Sequence, residues 1–182
     1  MKKIFLSFIL MVFILANAAA QQAAAEVTFT FTRQNGSASN QFAVWIENSQ
    51  GQHVKTLYAT RWTANGGFSR RPASIPLWVK QSGLSGLSKA QVDAVSAATP
   101  GTGALAYTWD GTDARGAPAP AGIYTLVIEG TLRWENQVYY RAPIRLGGGP
   151  AAAQVNAEYT AGDRDATAER SMIGNVKVRV LR

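Results

Sequence analysis

From Val27 to Arg33 the chain alternates without a break, with Val27, Phe29 and Phe31 set against Thr28, Thr30 and Thr32. Only an extended strand puts every second side chain on one face, so this run predicts a strand with a buried apolar face and a polar face. The pattern returns at 42–47, where Phe42, Val44 and Ile46 share a face and Trp45 lies on the other. Asn48-Ser49-Gln50-Gly51 reads as a hairpin connection to a third strand at 54–59, and Gln34-Asn35-Gly36-Ser37 as the turn before the second. The first half is therefore expected to open as a β-meander. Further strands are expected at 105–109, 122–130, 137–146, 155–159 and 176–181, with Gly147-Gly148-Gly149-Pro150 as the clearest break. Eight or so short strands punctuated by Gly and Pro predict an all-β chain folded as one antiparallel β-sandwich domain over residues 26–182.

Residues 60–104 interrupt this rhythm. Trp62, Phe68 and Trp78 lie among Gly, Arg, Pro and Ser, and Ser88 precedes Ala90, Val92 and Val95 as the N-cap of a short helix that Pro100-Gly101 stops. A long insertion carrying one short helix fits, and insertions of that length tend to be functional. The three aromatics offer either an interaction surface or a plug for one end of the sandwich; the plug is the simpler reading.

The first residues carry an address. Lys2 and Lys3 precede Ile4–Leu15, twelve residues that are apolar except for Ser7, and Ala16-Asn17-Ala18 follows. Twelve residues suit the core of a secretory signal peptide and fall short of the roughly 20 that cross a bilayer as a helix. Residues 1–20 are expected to be removed, with cleavage after Ala18 or Ala20 and alternatives within 18–25, which places the mature protein in the periplasm. The formal charge of +7 falls to +5 without Lys2 and Lys3. The remaining basic residues are scattered and form no stripe of the kind that binds nucleic acid.

Chemistry is limited by what is missing. With no cysteine there is no disulfide, thiol nucleophile, cysteine-held metal or lipid-anchoring cysteine. The single histidine, His53, cannot build a histidine metal site and leaves a hydrolytic triad unsupported. No catalytic residue is assigned, and a non-enzymatic role is favoured.

Two motifs remain. In Trp109-Asp110-Gly111-Thr112-Asp113, followed by Gly116, Pro120, Gly122 and Tyr124, Asp-Gly supports a tight turn and Asp113 can bond its own backbone two residues on. Gly116 and Gly122 admit positive φ. Calcium would need six to eight oxygens, and only two carboxylates are in view, so a structural turn is favoured. This stretch resembles the immunoglobulin-like module of flagellar hook-capping proteins over about 20 residues. The resemblance implies an immunoglobulin-like sandwich and no flagellar role.

The second motif is Asp93-Ala94-Val95-Ser96-Ala97-Ala98-Thr99. It resembles the covalent flavin-attachment motif, Asp-x-x-Ser/Thr-Gly-Ala-Thr, of extracytoplasmic electron-transfer proteins. The resemblance implies a flavin transferase that moves FMN from FAD onto Thr99 as a phosphoester. Asp93, Ser96, Ala98 and Thr99 match; Ala97 stands where glycine is usual, and a backbone angle reserved for glycine would be costly there. The alternative is the frayed end of a short helix, with Ser96 and Thr99 bonding nearby backbone.

Taken in order, Phe42-Ala43-Val44-Trp45-Ile46-Glu47, Gly51, Val54-Lys55-Thr56-Leu57, Trp78, the 93–99 segment, Trp109-Asp110-Gly111, Gly122-x-Tyr124 and Glu129 resemble the periplasmic family called domain of unknown function 2271, over about residues 26–146. That resemblance implies periplasmic context and a link to flavin transferases and to membrane-bound redox proteins. Two functions therefore stand: a non-catalytic accessory module for binding or assembly, with no cofactor, and a carrier of covalent FMN on Thr99 in periplasmic electron transfer. In the second, Arg61, Arg70 or Arg71 would pair with the phosphate.

Overall fold

The computed structural model describes residues 23–35, 39–160 and 167–182. Residues 1–20, read as a signal peptide, and Gly36 and Ser37 of the first expected turn lie outside the described residues.

Two sheets face each other, as the alternation predicts. The smaller has the order β5-β1-β10-β8, built from β1 (Ala25–Phe31), β5 (Gly103–Trp109), β8 (Ala151–Gln154) and β10 (Ile173–Val180). The larger runs β4-β3-β2-β6-β7-β9, from β2 (Gln41–Asn48), β3 (His53–Thr60), β4 (Ser96–Ala97), β6 (Gly122–Thr131), β7 (Gln137–Leu146) and β9 (Glu158–Thr160). Every pairing is antiparallel except β3 with β4. Val27, Phe29 and Phe31 point inward from the smaller sheet, and Phe42, Val44, Ile46, Leu126, Ile128 and Ile144 from the larger. Phe42 is the hub, with its ring centroid 5.2 Å from Phe31 and 4.8 Å from Tyr58.

Two expectations about the strands change, and the insertion carries three short helices where one was expected. The opening is not a meander of three, because β1 pairs with β10 and β5, while β2 and β3 form a hairpin in the opposite sheet. Alternation fixes which side chains face inward and is silent on which strand lies alongside. The strand expected at 155–159 forms only from Glu158, as β9, and an unexpected strand, β8, precedes it. β8 pairs with β10 and β9 with β7, so the chain crosses between sheets at Val155, whose backbone N–H donates to Val176 O at 2.9 Å.

The insertion between β3 and β5 holds α1 (Phe68–Arg70), α2 (Pro76–Gln81) and α3 (Lys89–Val95). The Ser88 N-cap forms with Gln91 as its reciprocal partner, a capping box that satisfies two otherwise orphaned donors. α3 ends at Val95, ahead of Pro100-Gly101, because Ser96 and Ala97 pair with the open edge of β3. Trp78 does not plug an end. It is fully buried in a second core with Ala43, Trp45, Ile75, Leu84 and Val127, on the outer face of the larger sheet. Phe68 packs partly buried against the same cluster. This explains why seven of the eight residues of β2 are buried, on both faces. Burying a large side chain such as Trp78 is worth about 1.5–3 kcal/mol relative to leaving it in water.

Candidate functional site

The Trp-Asp-Gly turn is a structural joint. Trp109 is fully buried, and its indole N–H donates to Thr112 O at 2.8 Å. Its ring lies 4.9 Å from that of Tyr124, whose hydroxyl donates to Pro120 O at 2.7 Å. Asp110 accepts Lys55 Nζ at 2.9 Å and the Thr112 hydroxyl at 2.7 Å. Burial raises the Asp110 carboxyl, but these bonds outweigh it and hold the group below its ordinary value. Asp113 caps its own loop, accepting the N–H of Arg115 and of Ala117. The carboxylates are thus engaged by different partners. Gly111 and Gly116 take positive φ, 77° and 82°; Gly122 does not, because it begins β6 in extended backbone.

The insertion sits on a row of polar side chains that project from the outer face of the larger sheet. Glu129 accepts the backbone N–H of Leu77 at 3.1 Å and of Trp78 at 2.8 Å, both in the first turn of α2, and the Tyr139 hydroxyl at 3.1 Å. Thr131 Oγ1 accepts Ile75 N–H at 2.7 Å, and Thr56 Oγ1 accepts the Trp78 indole N–H at 3.0 Å. Ile75 is held at φ 41°, a left-handed backbone that a β-branched residue adopts only when its surroundings compel it. Burial raises the Glu129 carboxyl from 4.5 to about 7, against the opposing pull of its backbone and tyrosine donors.

The 93–99 segment lies beside this seat. β4 runs parallel to the end of β3, with Ala59 opposite Ser96 and Thr60 opposite Ala97. Parallel pairing sends both chains out at the same end of the sheet. The residues that follow each strand therefore meet, and Arg61, Trp62, Asn65, Gly66, Gly67 and Arg70 face Ala98 and Thr99 across an open cleft of about 420 Å³. The Tyr58 hydroxyl donates to Ala98 O at 3.0 Å and fixes the wall that carries Thr99. Burial pushes that phenol up to about 12, so it stays a donor.

Of the three residues proposed for attachment, only Thr99 reaches the cleft. It is half-buried in irregular chain between β4 and β5. Asp93 is on the exposed side of α3, paired with Lys89 one turn away. Ser96 is buried, and its hydroxyl and that of the nearby Thr60 have no hydrogen-bond partner among the described residues. Ala97 is exposed and extended in β4, and its φ is not positive. Arg61 and Arg70 line the cleft and have no carboxylate partner among the described residues. Arg71 points elsewhere and donates to Trp134 O at 2.6 Å.

The sequence reading missed Trp62 as part of this wall. Its side chain is 45% exposed, whereas Trp45, Trp78 and Trp109 are fully buried. A Cβ on Gly67 would lie 2.4 Å from Trp62 O and 2.5 Å from the indole, so the ring lies against bare backbone. The signal was present as Arg61-Trp62 followed by Asn65-Gly66-Gly67, but its meaning depends on the β3–β4 pairing. The cleft brings together two guanidiniums that have no carboxylate partner among the described residues, an exposed but supported indole and the Thr99 hydroxyl. It suits an anionic group joined to a flat ring.

Among the described residues no helix is long and apolar enough to cross a membrane. No curated protein and no solved structure matches the chain. The family model described as Predicted periplasmic protein (DUF2271) matches residues 23–163, most of the chain, and the chain belongs to that family.

Proposed function

We propose that the protein is an exported, non-catalytic carrier of FMN, held covalently on Thr99, and serves as an accessory to periplasmic electron transfer. The observation that carries this reading is the meeting of Thr99 with Arg61 and Arg70 across one cleft. Of three arginines considered from the sequence, two line the wall facing the expected acceptor, where guanidinium groups can bind phosphate oxygens in bidentate fashion. The backbone at Ala97 is extended, a conformation that alanine adopts without strain.

Attachment needs a flavin transferase and FAD. The Thr99 hydroxyl oxygen bonds to the flavin-side phosphorus as the pyrophosphate P–O bond breaks. AMP leaves with that electron pair, and the hydroxyl proton passes to a base of the transferase. The bound flavin supplies the electron chemistry, and the chain's own residues hold and orient it. A membrane-bound redox protein is the partner such a carrier would serve.

A pure binding module is the weaker reading. Of the three aromatics that suggested an interaction surface, Trp78 is fully buried and Phe68 is partly buried against the second core. The test is mass spectrometry of the protein co-expressed in a periplasm with a flavin transferase. An FMN adduct that is absent from Thr99→Ala is expected. A mature mass without an adduct would overturn the reading.

A further inference from the structure

We propose that the cleft is a docking site for the flavin ring as well as its point of attachment: Trp62 is the stacking surface for the isoalloxazine, while Arg61 and Arg70 hold the phosphate. The inference deepens the FMN-carrier reading and assigns Trp62 a role that the attachment motif does not contain.

Three observations carry it. The first is that Trp62 stays in water although its neighbours in the insertion are drawn into the second core. Among the described residues Trp62, Ile123 and Tyr159 are the exposed large hydrophobics, and Trp62 alone of these lines the cleft. An indole so exposed loses the burial energy that a tryptophan ordinarily gains. The second is that the ring has a fixed support. It lies against Gly67, where any side chain would collide with it, so a ligand meets a preorganised surface. The third is the distribution of polarity. Arg61 adjoins Trp62 in sequence, Arg70 closes the same wall, and the Asn65-Gly66-Gly67 floor is free of bulky side chains. The cleft thus offers cations and a flat apolar surface side by side, as a phosphorylated aromatic requires. Its volume of about 420 Å³ falls within the range of small-molecule sites.

A docked ring differs from a tethered ring in solvent. Close contact with an indole quenches flavin emission by electron transfer in the excited state. Stacking also holds the ring at one orientation to the sandwich, so a redox partner approaches it from one side only.

The test uses the full mature chain in two forms. In the flavinylated form, the wild type is expected to show flavin fluorescence several-fold below that of free FMN, and Trp62→Leu to recover most of it with unchanged adduct yield by mass spectrometry. Equal emission from the two adducts would overturn docking and leave attachment intact. In the unmodified form, free FMN is titrated and read by fluorescence. Trp62→Leu should weaken binding about ten-fold, the size of one lost aromatic stack. The Arg61→Gln/Arg70→Gln double variant should bind FMN no better than riboflavin, which lacks the phosphate. If no adduct forms but free FMN binds with this pattern, the carrier reading fails and the dock stands. Absence of FMN binding to the wild type at millimolar concentration, or binding indifferent to all three substitutions, overturns the dock.

Discussion

The Glu129 carboxylate accepts the backbone N–H of Trp78 at 2.8 Å, and this bond fastens the insertion to the sheet that it covers. Leu77 N–H and the Tyr139 hydroxyl converge on the same carboxylate. The first N–H groups of a helix have no partner within it, so Glu129 satisfies donors that burial would otherwise leave orphaned. Glu129→Gln should cost about 1–3 kcal/mol in urea unfolding, because its amide N–H₂ must face one of these donors. Hydrogen exchange should rise across 61–95 well before it rises in the inner strands. Uniform protection loss would count against a local fastening role.

Stability against pH has two opposing contributions. Burial raises Glu129 from 4.5 to about 7, so the folded state keeps a proton that the unfolded chain has released, and stability falls as pH rises through that window. Burial lowers His53 from 6.5 to about 4, so the folded state stays neutral where the unfolded chain is protonated, and stability falls as pH drops through that window. The slopes have opposite signs where the windows overlap, so the wild type should be nearly flat between about pH 4.5 and 6.5. Glu129→Gln should then lose stability on acidification, and His53→Gln should lose it as pH rises. Denaturant midpoints across this range read both, and identical pH profiles for both variants would refute the assignment.

Ser96 and Thr60 each bury a hydroxyl without a hydrogen-bond partner among the described residues. An unsatisfied buried hydroxyl costs about 1–3 kcal/mol, so removing it should help. Ser96→Ala and Thr60→Val are expected to gain about 1 kcal/mol each. Thermal unfolding measures the gain. A loss in Ser96→Ala would mean that its hydroxyl has a polar partner in solution.

Gly67→Ala tests the support of Trp62. The backbone at Gly67 has φ −59°, which suits any residue, so the effect is purely one of space. The new Cβ would meet the indole at 2.5 Å and a backbone oxygen at 2.4 Å, and neither can yield without moving the wall. Destabilisation of about 1–3 kcal/mol is expected, with a shift in Trp62 emission measured against the Trp62→Leu background. No change in either would show that the ring does not rest there.

The inward faces were legible because period-two alternation translates directly into burial. Val27, Phe29 and Phe31, and likewise Phe42, Val44 and Ile46, lie where the alternation puts them. The same pattern assigns Glu129 only to the outward side of β6; nothing local says that an insertion some fifty residues earlier will cover it. Trp78 was equally ambiguous, since a tryptophan among Pro and Lys suits a surface as well as a second core. The cleft lay furthest from view. Thr99 was found through its motif, and Arg61 and Arg70 only as unplaced cations. What joins them is a two-residue parallel pair, too short to leave a periodic trace in the sequence.

That short pair also bears on how such a site could be inherited. Both walls of the cleft come from the two ends of one excursion, which leaves the sheet after Thr60 and returns at Ser96. The arginines, the tryptophan and the threonine are therefore contiguous cargo. A single transfer of residues 61–99 would move the whole constellation, provided the host strands offered a landing patch like Ala43, Trp45 and Val127. The sandwich beneath must then keep that patch, the β3 edge with Tyr58, and the polar seat of Thr56, Glu129 and Thr131.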